Sequence, residues 1–195
     1  MQCKSSRVVM LGAPGSGKGT QGAILASALG VPHVASSDLL RQHAEREQGD
    51  GADPRARMAR GELVDDEAVI DLVLKRLGQP DARPGFVLDG FPRNTTQAAA
   101  LDRWLTETGT PLAVALLEVP RQKLLDRLAA RAAKEQRHDD DPQTRLHRLD
   151  VYESEAQPLV AHYTRQGALR RVDADDDVDT VAERVRSAVC DEPSA

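Results

Sequence analysis

The run Gly12-Ala13-Pro14-Gly15-Ser16-Gly17-Lys18-Gly19-Thr20-Gln21 has the residues that phosphate binding needs. Its glycines permit backbone conformations and close approaches that a Cβ would block. Its backbone N–H groups can wrap phosphate oxygens, and a helix starting there adds positive potential. Lys18 can reach terminal phosphates as a point charge. A hydroxyl beside such a lysine can ligate Mg²⁺. The generic pattern places Ser or Thr directly after the lysine; here Gly19 intervenes and Thr20 carries the hydroxyl. The bland alternative is a glycine-rich turn with a chance lysine. The flanks argue against it, because an apolar stretch at 8–11 precedes the run and a helix-like segment at 21–29 follows.

A second signal is GFVLDGFPR at 85–93, followed by Gln97. Asp89 ends an apolar strand, and an acid there, near a phosphate loop, can hold Mg²⁺ through its water shell. Arg93 follows in a turn, where its planar fork suits a second phosphate group. Each feature is weak alone; together they point to phosphoryl transfer. A third is Ser36-Ser37-Asp38-Leu39-Leu40-Arg41, after the second strand and opening a helix. Capping by serine or aspartate is the ordinary explanation there, while Arg41, one turn in, can face a cleft. A fourth is a spread of arginines, Arg127, Arg131, Arg137 and Arg148, beside Asp139-Asp140-Asp141. Taken alone, such a spread is more simply explained as a solvated charged face. In a phosphoryl-transfer enzyme the same arginines would neutralise the transferring group.

These residues must be positioned by a frame of alternating elements. Short apolar runs at 7–11, 33–35, 86–89, 113–119 and 169–172 read as strands. Helical patterns lie between them, at 19–29, 38–48, 65–77, 95–107, 121–131, 144–166 and 178–190. Strands separated by helices predict a parallel sheet with right-handed crossovers. Strands apolar on both sides predict a sheet covered on both faces. Two polar segments, 42–64 and 132–143, exceed a minimal layout and read either as closing inserts or as solvated loops.

Composition narrows the classes. The 195 residues suffice for one domain with a proper core. Aromatics are 3 % of the chain, which argues against single-stranded nucleic acid read by stacking. The net charge of −5 offers nucleic acid no general basic field. The two cysteines, Cys3 and Cys190, make neither a disulfide framework nor a zinc site. The first seven residues are polar, and the apolar run after them is too short for a signal-peptide core or a membrane span. A cytoplasmic protein with reduced thiols is expected. A monomer is also expected, since no long apolar stripe remains once the core is assigned.

With these motifs in order, the chain resembles the adenylate kinases, in the nucleoside monophosphate kinase family. The resemblance rests on GAPGSGKGTQ at 12–21, GELVDDE at 61–67 and GFVLDGFPRNTTQA at 85–98, and it extends from about residue 7 to about 189. It implies one P-loop NTPase domain over 1–195. That domain would be an α/β three-layer sandwich with a five-stranded parallel sheet. The core would comprise 1–34, 65–129 and 142–195, the monophosphate-binding insert 35–64, and a short lid 130–141.

The resemblance also implies roles. Gly15, Ser16, Gly17, Lys18, Gly19 and Thr20 would hold the ATP phosphates. Arg127 would lie over the ATP adenine, with Asp176 nearby, and Arg131, Arg137 and Arg148 would gather phosphates as the lid closes. Arg41 and Arg93 would grip the AMP phosphate, which Arg137 and Arg148 would also reach. Ser36 and Gln97 would face the AMP base beside the backbone of Glu62, Leu63 and Val64, with Gly90, Phe91 and Pro92 adjoining. Mg²⁺ would sit on waters near Asp89 and Thr20, and no zinc is expected in a lid without cysteines. The implied reaction moves the γ-phosphoryl of Mg-ATP reversibly to AMP, giving two ADP. A UMP or CMP kinase, or a nucleotide-binding regulator with little turnover, are the alternatives. The chain departs from the family at Ser36-Ser37-Asp38, where Thr-Gly-Asp is usual, so a side chain is added beside the monophosphate base.

Overall fold

The computed structural model describes residues 6–46, 65–109, 111–135 and 142–190. Five strands, β1 (Arg7–Gly12), β2 (His33–Ala35), β3 (Phe86–Asp89), β4 (Ala113–Glu118) and β5 (Leu169–Asp173), form one sheet in the order β2-β3-β1-β4-β5. All neighbours are parallel, with Val9 opposite Leu88 on one side and Val114 on the other. The helices are α1 (Lys18–Leu29), α2 (Ser36–Arg46), α3 (Asp66–Leu77), α4 (Thr95–Thr108), α5 (Arg121–Glu135), α6 (Pro142–Arg165) and α7 (Val178–Cys190). The chain runs from β1 to β2 and β3 on one side, then crosses to β4 and β5 on the other. Such a reversal opens a crevice at the carboxyl ends of the strands, where α/β sheets bind ligands.

The strand alternation decides which face each residue enters. Val8 and Met10 pack with Leu25, Ala26, Val181 and Val185 beneath α1 and α7. Val9 and Leu11 join Val73, Leu101, Leu159 and Tyr163 on the opposite face, beneath α3, α4 and α6. Burying each large side chain of this kind stabilises by about 1.5–3 kcal/mol. Exposed pairs such as Arg121 with Asp150 (2.8 Å) add far less. A third, smaller cluster of Ala13, Leu124, Leu128 and Leu149 seats the start of the glycine-rich loop on α5 and α6. Trp104 packs against the α3/α4 core, 6.4 Å from Phe86 between ring centroids, with the buried Arg7 guanidinium 5.7 Å from its ring.

Three local expectations are corrected. Residues 132–135 are not loop: α5 continues through Glu135, because Ala-Ala-Lys-Glu are good helix formers with no glycine or proline to stop them. Residues 130–135 of the expected lid are therefore helical, and 136–141 lie outside the described residues. Of the expected insert 35–64, Ala35 ends β2 and α2 follows at once, while 47–64 lie outside. Second, Asp175, Asp176 and Asp177 precede α7 and each has the residue type of a helix cap, but Asp175 and Asp176 do not share in capping it. Asp175 pairs with Lys123 and Asp176 with Arg184, leaving the cap to Asp177. Third, Cys190 is disulfide-bonded, not reduced. It ends α7 and belongs to the core cluster of Val8 and Met10. The chain's other cysteine, Cys3, lies outside the described residues. Among those residues no helix is long and apolar enough to cross a membrane.

Asp177 Oδ1 accepts the backbone N–H groups of Asp179 and Thr180 at 3.1 and 3.0 Å, and Oδ2 accepts the Thr180 hydroxyl. The bonds from Thr180 come first in holding its pKa below the ordinary aspartate value. The folded pKa lies below the unfolded one, so this stabilisation is present above about pH 3.9 and is lost as pH falls through the lowered folded value. Asp177→Ala should lower the melting temperature at pH 7 and leave it little changed near pH 2, measured by circular dichroism.

Candidate active site

The crevice is built from the carboxyl ends of β1, β2 and β3. β1 runs into the glycine-rich loop, where Ser16 N–H donates to Ala13 O at 3.1 Å. Gly15 turns with φ 86°, and a Cβ there would meet the carbonyl of Leu124 at 3.1 Å. α1 then starts from Gly17, with φ 93° and no side-chain cap, and its first turn carries no acid. Other helices of the fold meet this need internally: Asp65 caps α3, Asn94 caps α4 and Asp177 caps α7. The uncapped N–H groups and positive helix end of α1 suit an anion.

Lys18 lies in this loop and is part-buried. Its Nζ donates to the carbonyls of Gly12 and Ala13 at 2.7 and 2.9 Å. Desolvation pushes its pKa down to about 8; the Asp89 carboxylate opposes the shift, and the cations of Arg93 and Arg131 add to it. Lys18 thus feels one carboxylate and two further cations. Asp89 reaches α1, because a Cβ on Gly19 would lie 3.5 Å from its Oδ2. Thr20 is exposed in the same turn. Among the described residues no group of three or more His, Cys, Asp or Glu side chains can hold a metal. One hydroxyl and one carboxylate are a poor cage for a bare cation. They fit Mg²⁺, which keeps most of its waters and takes phosphate oxygens.

The monophosphate side is tied together across the sheet. Ser36 is 1 % exposed and its Oγ donates to Gly90 O at 2.8 Å, joining the ends of β2 and β3. Gly90 has φ 77°, and a Cβ there would approach Ser36 Oγ to 2.6 Å. Ser37 lies in the first turn of α2, half-buried. Arg41, a turn further, is exposed and pairs with Asp38. Arg93 Nε donates to Gly90 O at 2.9 Å. The Phe91–Pro92 peptide is cis, and Phe91 is buried in the core, so only its backbone borders the crevice. Gln97 is buried at the start of α4.

On the far side Arg127 donates to Ala174 O at 3.1 Å, just before Asp176. Arg131 stands one turn beyond Arg127 on α5. Arg148 lies in α6; Glu62, Leu63, Val64 and Arg137 fall outside the described residues. Sequence reasoning missed Asp66 and Asn94, which bond to each other and to Gln97. Asn94 three residues before Gln97 has the spacing of a helix cap. Asp66 lies within GELVDDE, but nothing local marks its role, since its partners lie 28 and 31 residues away.

Comparison with known proteins gives a consistent picture. The profile of a family described as "Adenylate kinase" matches residues 10–168. The chain is 44 % identical over 184 residues to "Adenylate kinase" of Xanthomonas campestris pv. campestris, covering 94 % of this chain and 98 % of that protein. It is 43 % identical over the same shares to "Adenylate kinase" of Xanthomonas euvesicatoria pv. vesicatoria. To the protein of that name from Xylella fastidiosa it is 44 % identical, again over 94 % and 98 %.

Proposed function

Because the chain belongs to the adenylate kinase family, we propose that this crevice is where it moves the γ-phosphoryl group of Mg-ATP to AMP. The reaction is reversible and gives two ADP; the protein is an ATP:AMP phosphotransferase. The observation that carries the placement is that Asp89, Arg93 and Arg131 all act on Lys18, beside an uncapped helix start. That excess of positive charge in a part-buried site is balanced by phosphates.

The roles divide along the crevice. Gly15 to Thr20 cradle the ATP phosphates, with Lys18 on the transferring group. Arg127 covers the ATP base beside Asp176. Arg41 and Arg93 hold the AMP phosphate, Gln97 reads its base, and Glu62, Leu63, Val64 and the backbone of Gly90 to Pro92 complete that pocket. Ser36 supports the pocket through Gly90. Arg131, Arg137 and Arg148 close over the transferring group and exclude water. Thr20 and Asp89 would hold Mg²⁺ through waters, and the ion supplies charge neutralisation between the phosphates. No general base is required, since the second pKa of a phosphate monoester is about 6 and the acceptor is already ionised. We place the enzyme with its nucleotides, as a monomer. The exposed large apolar side chains among the described residues, Ile24, Leu146 and Val178, lie singly on three helices.

A coupled assay with ATP and AMP, UMP or CMP tests this reading. AMP should give the highest kcat/KM. Chelation with EDTA should abolish turnover, and added Mg²⁺ should restore it, while elemental analysis should find no stoichiometric zinc. Preference for a pyrimidine monophosphate would reassign the acceptor, and tight nucleotide binding without turnover would make the protein a regulator.

A further inference from the structure

The side-chain amide of Gln97 is committed at both ends. Gln97 is 2 % exposed. Its Oε1 accepts the backbone N–H of Arg93 at 2.8 Å, and its Nε2 donates to Asp66 Oδ1 at 2.7 Å. Asp66 is itself held, since Asn94 Nδ2 donates to its two oxygens at 3.2 and 2.9 Å. Asn94 is oriented in turn, because its Oδ1 accepts the backbone N–H of Gln97 at 3.0 Å. Every link sets a donor against an acceptor. Reversing the Gln97 amide would turn its oxygen toward a carboxylate and its NH₂ toward an N–H, replacing two hydrogen bonds by two repulsions.

A glutamine amide has two acceptor positions on oxygen and two N–H donors. After these bonds one acceptor and one donor remain, in an order that cannot be exchanged. A 6-aminopurine edge offers a donor on its exocyclic nitrogen and an acceptor at N1; a 6-oxopurine edge reverses both. With the phosphate end anchored by Arg41 and Arg93, the base meets the amide from one direction only. We propose that Asp66 is a positioning residue that sets purine preference, locking Gln97 in the orientation that accepts a 6-aminopurine and rejects a 6-oxopurine. This rests on the reading that Gln97 faces the acceptor base. A site that hydrogen-bonds one edge leaves its buried groups unpaired against the other, which is the strong form of discrimination.

The test is steady-state kinetics with AMP and inosine monophosphate at saturating ATP, on wild type, Asp66→Ala, Asp66→Asn and Gln97→Leu. Asp66→Ala should raise the KM for AMP roughly tenfold, the scale of one hydrogen bond. It should lower the AMP-to-IMP ratio of kcat/KM several-fold. The KM for ATP, and kcat at saturating AMP, should stay within about twofold of wild type. Those two readouts separate positioning from a general loss of structure, which would move every substrate alike. Asp66→Asn keeps the size of the side chain and one oxygen, but turns the other into a donor that must face Asn94 or Gln97. It should shift the ratio in the same direction by less, and it serves if the alanine variant does not fold. Gln97→Leu should abolish the preference. If Gln97→Leu collapses the ratio while folded Asp66 variants keep it, Asp66 does not set the orientation. If Gln97→Leu leaves the KM for AMP and the ratio unchanged, Gln97 does not read the base, and the proposal fails with that reading.

Discussion

Lys18→Met should give a folded protein whose kcat is lower by at least ~10², the size of losing one preorganised contact to developing charge. The fold should survive because the lysine is a burden to it without nucleotide. Burial has pushed its pKa down to about 8, and Arg93 and Arg131 repel it. Methionine has nearly the same length, buries easily and carries no charge. Phosphates favour the charged lysine when nucleotide binds, so the ammonium is present when it is needed. A corollary follows by linkage. The folded pKa lies below the unfolded value of about 10.4, so the unfolded chain binds more protons between these values. Nucleotide-free stability should therefore gain from Lys18 as pH rises from about 8 toward 10.4, while the full cost is present below that window. The variant should lack this component in a comparison of melting temperatures at pH 7 and 9.5. A folded Lys18→Met with near-normal turnover would remove the lysine from the phosphate site.

A mimic carrying two adenosines joined by five phosphates should bind at least ~10²-fold more tightly than ATP or AMP alone, because linking two ligands makes the second binding event intramolecular. Titration calorimetry measures this directly. The advantage should shrink in Arg131→Ala, since the cation of Arg131, on α5, adds to the positive charge acting on Lys18. Equal affinity for the mimic and ATP would contradict two sites facing each other across the crevice.

The phosphate loop, the strand-end acid Asp89 and the alternation of strands and helices were legible in the chain itself. Each depends on residues close along the backbone: glycines beside a lysine, an apolar run ending in an acid, a periodicity of two giving way to one of 3.6. Parallel pairing followed from helices lying between the strands, and the described sheet has five parallel strands, as expected. Partners distant in sequence were not legible. Ser36 looks like a helix cap from its neighbours, yet its hydroxyl goes to Gly90 O, 54 residues away, because β2 lies beside β3. Asp66 looks like one more acid at a helix start. Only the packing of α3 against α4 brings it to Gln97, where its acceptors decide which way an amide must point. Asp175, Asp176 and Asp177 are three like residues in a row, and one caps α7 while the other two pair with Lys123 and Arg184. Residue type and local spacing determine what a side chain can donate or accept. Which partner it meets is decided by the sheet order and the packing of helices across it, since those bring remote donors and acceptors within hydrogen-bonding distance.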